Sequence, residues 1–132
     1  MAKKILIIED HGATAKLLAD VMTGEGLLPV IAADGQRGLE KAYSEKPDLI
    51  LIDDTLPGTS RLAVCQQLKE SILTSNIPVI FISAWGSAED RRRGFEAGCA
   101  DYIVKPFELK DLVERINARL SSRDDLEGLS AK

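Results

Sequence analysis

Three unbroken apolar runs recur along the chain at intervals that suit buried strands. They are ILII, LILI and VIFI, at residues 5–8, 49–52 and 79–82. Their length and β-branched content favour strands over helices, and strands apolar on both faces are typical of the centre of a parallel sheet. Two weaker runs, VIAA at 30–33 and YIV at 102–104, are expected at the edges of the same sheet.

Helical patterns fill the intervals between these runs and follow the last one. The final helix is the clearest, because apolar residues recur on one of its faces at helical spacing. These residues are Leu109, Leu112, Val113, Ile116 and Leu120. The third helix shows a similar apolar face, made of Leu62, Cys65, Leu68 and Ile72.

Capping and breaking residues predict where the other helices begin and end. The first helix should end near Gly24, and the second should end before Pro47, since proline disfavours helix in the residue before it. Ser87 and Asp90 predict a capping box at the start of the fourth helix, which Gly98 ends. The elements therefore alternate as strand and helix, five times.

This alternation predicts an α/β fold with a single doubly wound, five-stranded parallel sheet and five helices. The weak second and fifth runs favour the strand order 2-1-3-4-5 that flavodoxin-like proteins have. Residues 1–120 form the predicted domain. Residues 121–132 lack the apolar face and are predicted to be a polar C-terminal tail or the start of a linker.

Composition narrows the classes of partner. The chain has 17 basic and 21 acidic residues and a net charge of -4, which argues against nucleic-acid binding by this domain. Cys65, Cys99 and His11 lack the spacing of a disulfide framework or a zinc site, so a reduced cytoplasmic location is expected. The N-terminal apolar run is too short for a signal peptide or a membrane span.

Polar residues follow four of the five predicted strands. They are Glu9 and Asp10, Asp53 and Asp54, Ser83 (followed by Ala84), and Lys105. Ligands of such folds bind at the carboxyl ends of the strands, where neighbouring carboxylates repel each other and favour a cation such as Mg²⁺. Carboxylates, a hydroxyl and an ammonium together suit phosphoryl chemistry, with Asp53 as nucleophile and with Ser83 and Lys105 holding the phosphoryl oxygens.

Four motifs in register resemble the receiver domain of bacterial two-component response regulators. They are IED, PDLILIDDTLPG, VIFISA and GCADYIVKPF, and the resemblance covers Lys3 to about Leu120. It implies a regulatory phosphoacceptor domain and not a metabolic enzyme. Asp53 would receive a phosphoryl group from a phosphohistidine on a sensor histidine kinase or phosphotransfer protein, and the domain would contribute only self-assisted phosphotransfer and slow autodephosphorylation.

The resemblance also implies roles for single residues. The Mg²⁺ ligands would be Glu9, Asp10, Asp53 and the backbone carbonyl of Thr55. The phosphoryl-binding and switch residues would be Ser83, Ala84, Lys105 and Tyr102. On phosphorylation the Tyr102 ring would turn inward and change the face made by the fourth helix, fifth strand and fifth helix, which contacts a downstream protein, an output domain or a second copy in a homodimer.

Three residues depart from the family pattern. Arg61 stands where the family usually has glycine, which leaves the conformation of that loop open. Asp54 replaces an apolar residue, and we interpret it as a bystander because its side chain should point away from that of Asp53. Trp85 is unusually bulky, and we expect Trp85 and Thr55 to flank the phosphoryl group and slow its hydrolysis.

Three other functions fit the sequence less well. A receiver-like docking module that is never phosphorylated would be expected to have lost an acidic residue, Ser83 or Lys105, and all are present. An Asp-nucleophile phosphohydrolase of the haloacid dehalogenase type needs two aspartates separated by one residue, whereas Asp53 and Asp54 are adjacent. A flavodoxin-like cofactor carrier would place Glu9 and Asp10 against a flavin phosphate, and these carboxylates would repel it. Whether the chain stands alone or belongs to a larger regulator stays open.

Overall fold

Five strands, each followed by a helix, form the fold in the predicted order. The computed structural model describes residues 2–53 and 61–130, with side chains in the last helix as far as residue 123. The strands are β1 (Lys4–Ile8), β2 (Leu28–Ala32), β3 (Leu49–Asp53), β4 (Val79–Ser83) and β5 (Asp101–Val104). The helices are α1 (Gly12–Gly24), α2 (Gly35–Glu45), α3 (Arg61–Glu70), α4 (Ala88–Glu96) and α5 (Leu109–Ser130).

The strands make one parallel sheet in the order β2-β1-β3-β4-β5, which confirms the predicted topology. Every residue of β3 and β4 is buried, as two-sided coverage by helices requires. The switch in winding direction lies between β1 and β3, so their carboxyl ends border one crevice.

Alternate residues of the strands face two separate apolar layers. Leu6, Ile50 and Phe81 pack with α2 and α3 on one side of the sheet. Their neighbours in sequence, such as Ile7 and Leu51, pack with α1 and α5 on the other side. This alternation holds β3 rigidly, so that the residue at its carboxyl end has a fixed position.

The predicted helix boundaries are largely confirmed. Asp34 caps α2 by accepting the Arg37 amide at 2.8 Å, and Ser87 and Asp90 form the predicted capping box of α4. Gly98 follows α4 with a φ of 108°, a left-handed conformation that glycine adopts without strain.

The predicted apolar face of α3 is wrong at its last member. The helix ends at Glu70, and Ile72 is 89% exposed. The buried hydroxyl of Thr74 donates a hydrogen bond to the Leu68 carbonyl at 2.6 Å, which satisfies an acceptor at the helix end and turns the chain away. Ile72 therefore lies beyond the helix that would have buried it.

The last helix continues through Ser130, beyond the predicted domain end at residue 120. Arg123 donates to the Asp48 carbonyl at 2.8 Å, which fixes this part of α5 against the start of β3. The division between a domain at 1–120 and a tail at 121–132 stays a prediction. Within the described part of the chain, no helix has the length and apolar character that crossing a bilayer requires.

Candidate functional site

Asp53 and Lys105 form an ion pair at the carboxyl edge of the sheet. Asp53 is the last residue of β3 and is 2% exposed, while the Lys105 ammonium arrives from the loop after β5. Its Nζ lies 2.9 Å from Asp53 Oδ2 and 3.1 Å from Oδ1. The Lys105–Pro106 bond is cis. The ammonium thus partly compensates a carboxylate that burial would otherwise destabilise.

Glu9 brings a second buried carboxyl group to the same place. It follows β1, is 3% exposed and accepts the His11 amide at 3.1 Å. Burial, together with a hydrogen bond and charge repulsion from Asp53, raises the pKa of Glu9 from its usual 4.5 to about 7, although the His11 amide and Lys105 oppose the shift. Two adjacent buried carboxyl groups form an oxygen-rich site that favours a hard divalent cation.

An open pocket of about 370 Å³ lies above these carboxyl groups. It is lined by Glu9, Asp10, His11, Thr14 and Lys105. Asp10 is exposed, and His11 caps α1 by accepting the Thr14 amide. Among residues 2–53 and 61–130, no three acidic, His or Cys side chains form a ready metal cluster. The volume of the pocket gives room for water and a phosphoryl group beside the Glu9 and Asp10 carboxyl groups.

Ser83 and Tyr102 both hold the backbone of Trp85, in the loop between β4 and α4. The buried Ser83 Oγ accepts the Trp85 amide at 2.9 Å, and the Tyr102 hydroxyl donates to the Trp85 carbonyl. Tyr102 is only 5% exposed, whereas the Trp85 side chain is 62% exposed. The two predicted switch residues are thus joined through one loop residue.

The site and sheet match one family over most of the chain. A model of the response regulator receiver domain matches residues 5–117. The chain belongs to the response regulator receiver family. Receiver domains of response regulators are regulatory modules of two-component systems, which agrees with the phosphoacceptor role that the four motifs imply.

Full-length response regulators are among the similar proteins. The phosphate regulon transcriptional regulatory protein PhoB of Escherichia coli is 42% identical over 118 residues, covering 89% of this chain and 52% of PhoB. The DNA-binding response regulator MtrA of Mycobacterium tuberculosis is 37% identical over 125 residues, covering 95% of this chain and 54% of MtrA. The receiver chain therefore spans about half the length of the curated relatives it matches.

Solved receiver structures share the fold. A CheY-like response regulator receiver domain protein from Methanospirillum hungatei has a TM-score of 0.88 at 28% identity, covering 95% of this chain and 98% of that one. The receiver domain of sensor histidine kinase PA1611 from Pseudomonas aeruginosa, solved with magnesium in its active-site cleft, has a TM-score of 0.84 at 23% identity. It covers 92% of this chain and 99% of its own, and at that identity the likeness shows the fold alone.

The remaining residues that the sequence singled out at this site are only partly within the described range. Ala84 follows Ser83 at the surface, and Asp54 and Thr55 lie outside the described residues. The expected metal role of Thr55 and bystander role of Asp54 thus stay predictions. Arg61 was singled out only as a departure from the family pattern, and its contact with Tyr102 was not predicted. It begins α3 and donates from NH2 to the Tyr102 hydroxyl at 3.1 Å.

The raised pKa of Glu9 should lower the free energy of unfolding of the metal-free receiver as the pH rises from 4.5 to about 7. In that window Glu9 keeps its proton in the folded protein and releases it in the unfolded chain, so proton binding favours the folded state at the acidic end. The expected loss in free energy of unfolding is up to about 3 kcal/mol. Urea unfolding in EDTA across this pH range measures it.

Glu9→Gln should flatten this pH dependence, because the amide does not titrate. Glu40→Gln is the matched control, since Glu40 is exposed on α2 and accepts only the Gln36 amide among the hydrogen bonds resolved for it. Equal slopes in the wild type and Glu9→Gln would show that the paired carboxyl groups do not cause the effect.

Proposed function

We propose that this chain is a phosphorylation-dependent signalling switch that accepts a phosphoryl group on Asp53. The observation that carries the proposal is the Asp53–Lys105 ion pair at the end of a fully buried strand. The strand fixes the carboxylate at the rim of the sheet, and an open pocket is lined by its partner Lys105 together with Glu9 and Asp10. Fixed geometry is most of what a phosphoryl acceptor needs, since such catalysis is mainly positioning and electrostatics.

The transfer is a displacement at phosphorus. An Asp53 carboxylate oxygen attacks the phosphohistidine of a sensor histidine kinase or phosphotransfer protein, a P–O bond forms and the P–N bond breaks. The released imidazole takes its proton from solvent. Lys105 already contacts both Asp53 oxygens, and after the transfer its ammonium can bind an oxygen of the phosphoryl group. Ser83 and the backbone at Ala84 would bind another phosphoryl oxygen.

The donor set fits Mg²⁺. Glu9, Asp10, Asp53 and the backbone carbonyl of Thr55 would hold the ion, which supplies positive charge to the phosphoryl oxygens when bound. The raised pKa of Glu9 supports this fit, because two buried carboxyl groups share one site and a divalent cation would relieve their repulsion. The receiver domain of PA1611, which shares the fold, has a magnesium ion in its active-site cleft.

The output would pass through the α4–β5–α5 face, which binds a downstream protein, an output domain or a second copy. Ser83 would move towards the phosphoryl group and give up the Trp85 amide, changing the loop before α4. PhoB is named a transcriptional regulatory protein and MtrA a DNA-binding response regulator. The output domain proposed here could therefore be one that binds DNA. Such a role places the chain in the cytoplasm, where the free buried thiols of Cys65 and Cys99 remain reduced.

The test is incubation with acetyl phosphate and Mg²⁺, followed by intact-mass measurement. We expect the wild type to gain one phosphoryl group, and EDTA to prevent the gain. Sodium borohydride reduces an acyl phosphate to an alcohol, so peptide mapping after reduction should mark Asp53. Absence of the mass gain, or a mark on another residue, would overturn the assignment.

A further inference from the structure

The guanidinium of Arg61 packs against two aromatic rings on one side of the sheet. Its Cζ lies 5.7 Å from the ring centre of Phe81 and 5.9 Å from that of Tyr102, within cation–π range. The two rings meet edge to face, with centres 6.1 Å apart and planes at 84°. Arg61 Nε is buried and has no hydrogen-bond partner among the described residues, and the Tyr102 hydroxyl accepts from Arg61 NH2 at 3.1 Å.

The Tyr102 side chain is held on three sides. Its hydroxyl accepts a hydrogen bond from Arg61 and donates one to the Trp85 carbonyl. Gly94 of α4 backs the ring closely, because a Cβ there would lie 2.9 Å from Tyr102 Cδ2. The ring therefore fills a space between α3 and α4, and its hydroxyl is held by a charged donor at the start of α3.

Arg61 supports only one member of the predicted switch pair. Ser83 holds the Trp85 amide and lies beside Asp53 at the sheet edge, whereas Tyr102 holds the Trp85 carbonyl with Arg61 behind it. The resemblance implies that the ring turns inward on phosphorylation, and in this chain it is already inside. Glycine, the usual residue at position 61 in the family, would offer no side chain to the ring.

We propose that Arg61 is a positioning residue that keeps Tyr102 buried whether or not Asp53 is phosphorylated. Phosphorylation would then act on the loop before α4 through Ser83 alone. The part of the α4–β5–α5 face around Tyr102 would have the same structure before and after phosphorylation. This inference rests on the proposed function for the role of the switch pair. The position of the ring can be measured independently of that function.

Nitration with tetranitromethane measures how exposed each tyrosine is. The chain has two tyrosines, and Tyr43, 41% exposed on α2, is the internal reference for Tyr102. In the unphosphorylated wild type we expect nitration at Tyr43 and protection at Tyr102. In Arg61→Ala the Tyr102 rate should rise about tenfold relative to Tyr43, because a charged hydrogen bond and cation–π contacts are lost.

Arg37→Ala is the matched control, since this arginine of α2 is exposed and pairs with Asp34 at 3.8 Å. This variant should leave the ratio of the Tyr102 and Tyr43 nitration rates unchanged. Phosphorylating Arg61→Ala with acetyl phosphate should restore protection of Tyr102, which a merely misfolded variant would not do. If Arg61→Ala does not fold, Arg61→Lys serves instead, because it keeps the cation and stem but loses the planar guanidinium.

Two results would overturn the proposal while leaving Asp53 phosphorylation intact. One is equal protection of Tyr102 in wild type and Arg61→Ala. The other is a wild-type Tyr102 that reacts freely until the protein is phosphorylated. Conversely, a wild type that takes up no phosphoryl group but shows Arg61-dependent protection would overturn the proposed function alone.

Discussion

Asp53→Asn is expected to abolish phosphoryl uptake from acetyl phosphate, slowing it by at least about a thousandfold. The amide keeps the shape of the side chain but cannot form the acyl phosphate, and burial of Asp53 leaves little room for another group to replace it. Lys105 would also lose its carboxylate partner, so the charge that orients the phosphoryl oxygens would be misplaced. Intact-mass measurement over time gives the rate.

Asp54→Asn is the matched control, since it removes an adjacent carboxylate by the same chemical change. We expect it to take up a phosphoryl group at close to the wild-type rate, in line with the predicted bystander role. A normal rate in Asp53→Asn combined with loss in Asp54→Asn would move the acceptor by one residue and contradict the proposed function.

The fold was predictable because short stretches of sequence determine which segments must be buried on both faces. A run such as LILI can be buried on both faces only between covering layers, which selects the centre of a parallel sheet. Ile72 shows where this reasoning fails. Helical periodicity continued past the true end of α3, because the buried Thr74 hydroxyl that ends it acts through a tertiary contact that no spacing reveals.

The position of the candidate site was predictable for a similar reason. Parallel strands bring their carboxyl ends to one edge, so Asp53 and Lys105 were expected to converge, and they lie 2.9 Å apart. The raised pKa of Glu9 was not predictable, because it depends on how deeply the carboxyl group is buried. The role of Arg61 was also missed, since its contacts come from β4 and β5, far along the chain.

Lys105→Met is expected to slow phosphoryl uptake by about 10²–10³-fold. Methionine keeps the length and apolar stem of lysine, so the variant removes mainly the ammonium that lies 2.9 and 3.1 Å from the two Asp53 oxygens. Without it, negative charge that develops on the phosphoryl oxygens during transfer would be less stabilised. Lys41→Met is the matched control, because its Nζ donates to the Ile31 carbonyl at the far edge of the sheet.

Mg²⁺ affinity separates this electrostatic role from a structural one. The positive charge of Lys105 opposes the shift that raises the pKa of Glu9. Without that charge, repulsion between the Glu9 and Asp53 carboxyl groups should be less compensated and should favour Mg²⁺ binding. Calorimetric titration of Lys105→Met should therefore show Mg²⁺ bound at least as tightly as in wild type, although phosphoryl uptake is slow. Weaker Mg²⁺ binding together with slow uptake would mean that Lys105 mainly shapes the loop, because a collapsed site loses both properties at once.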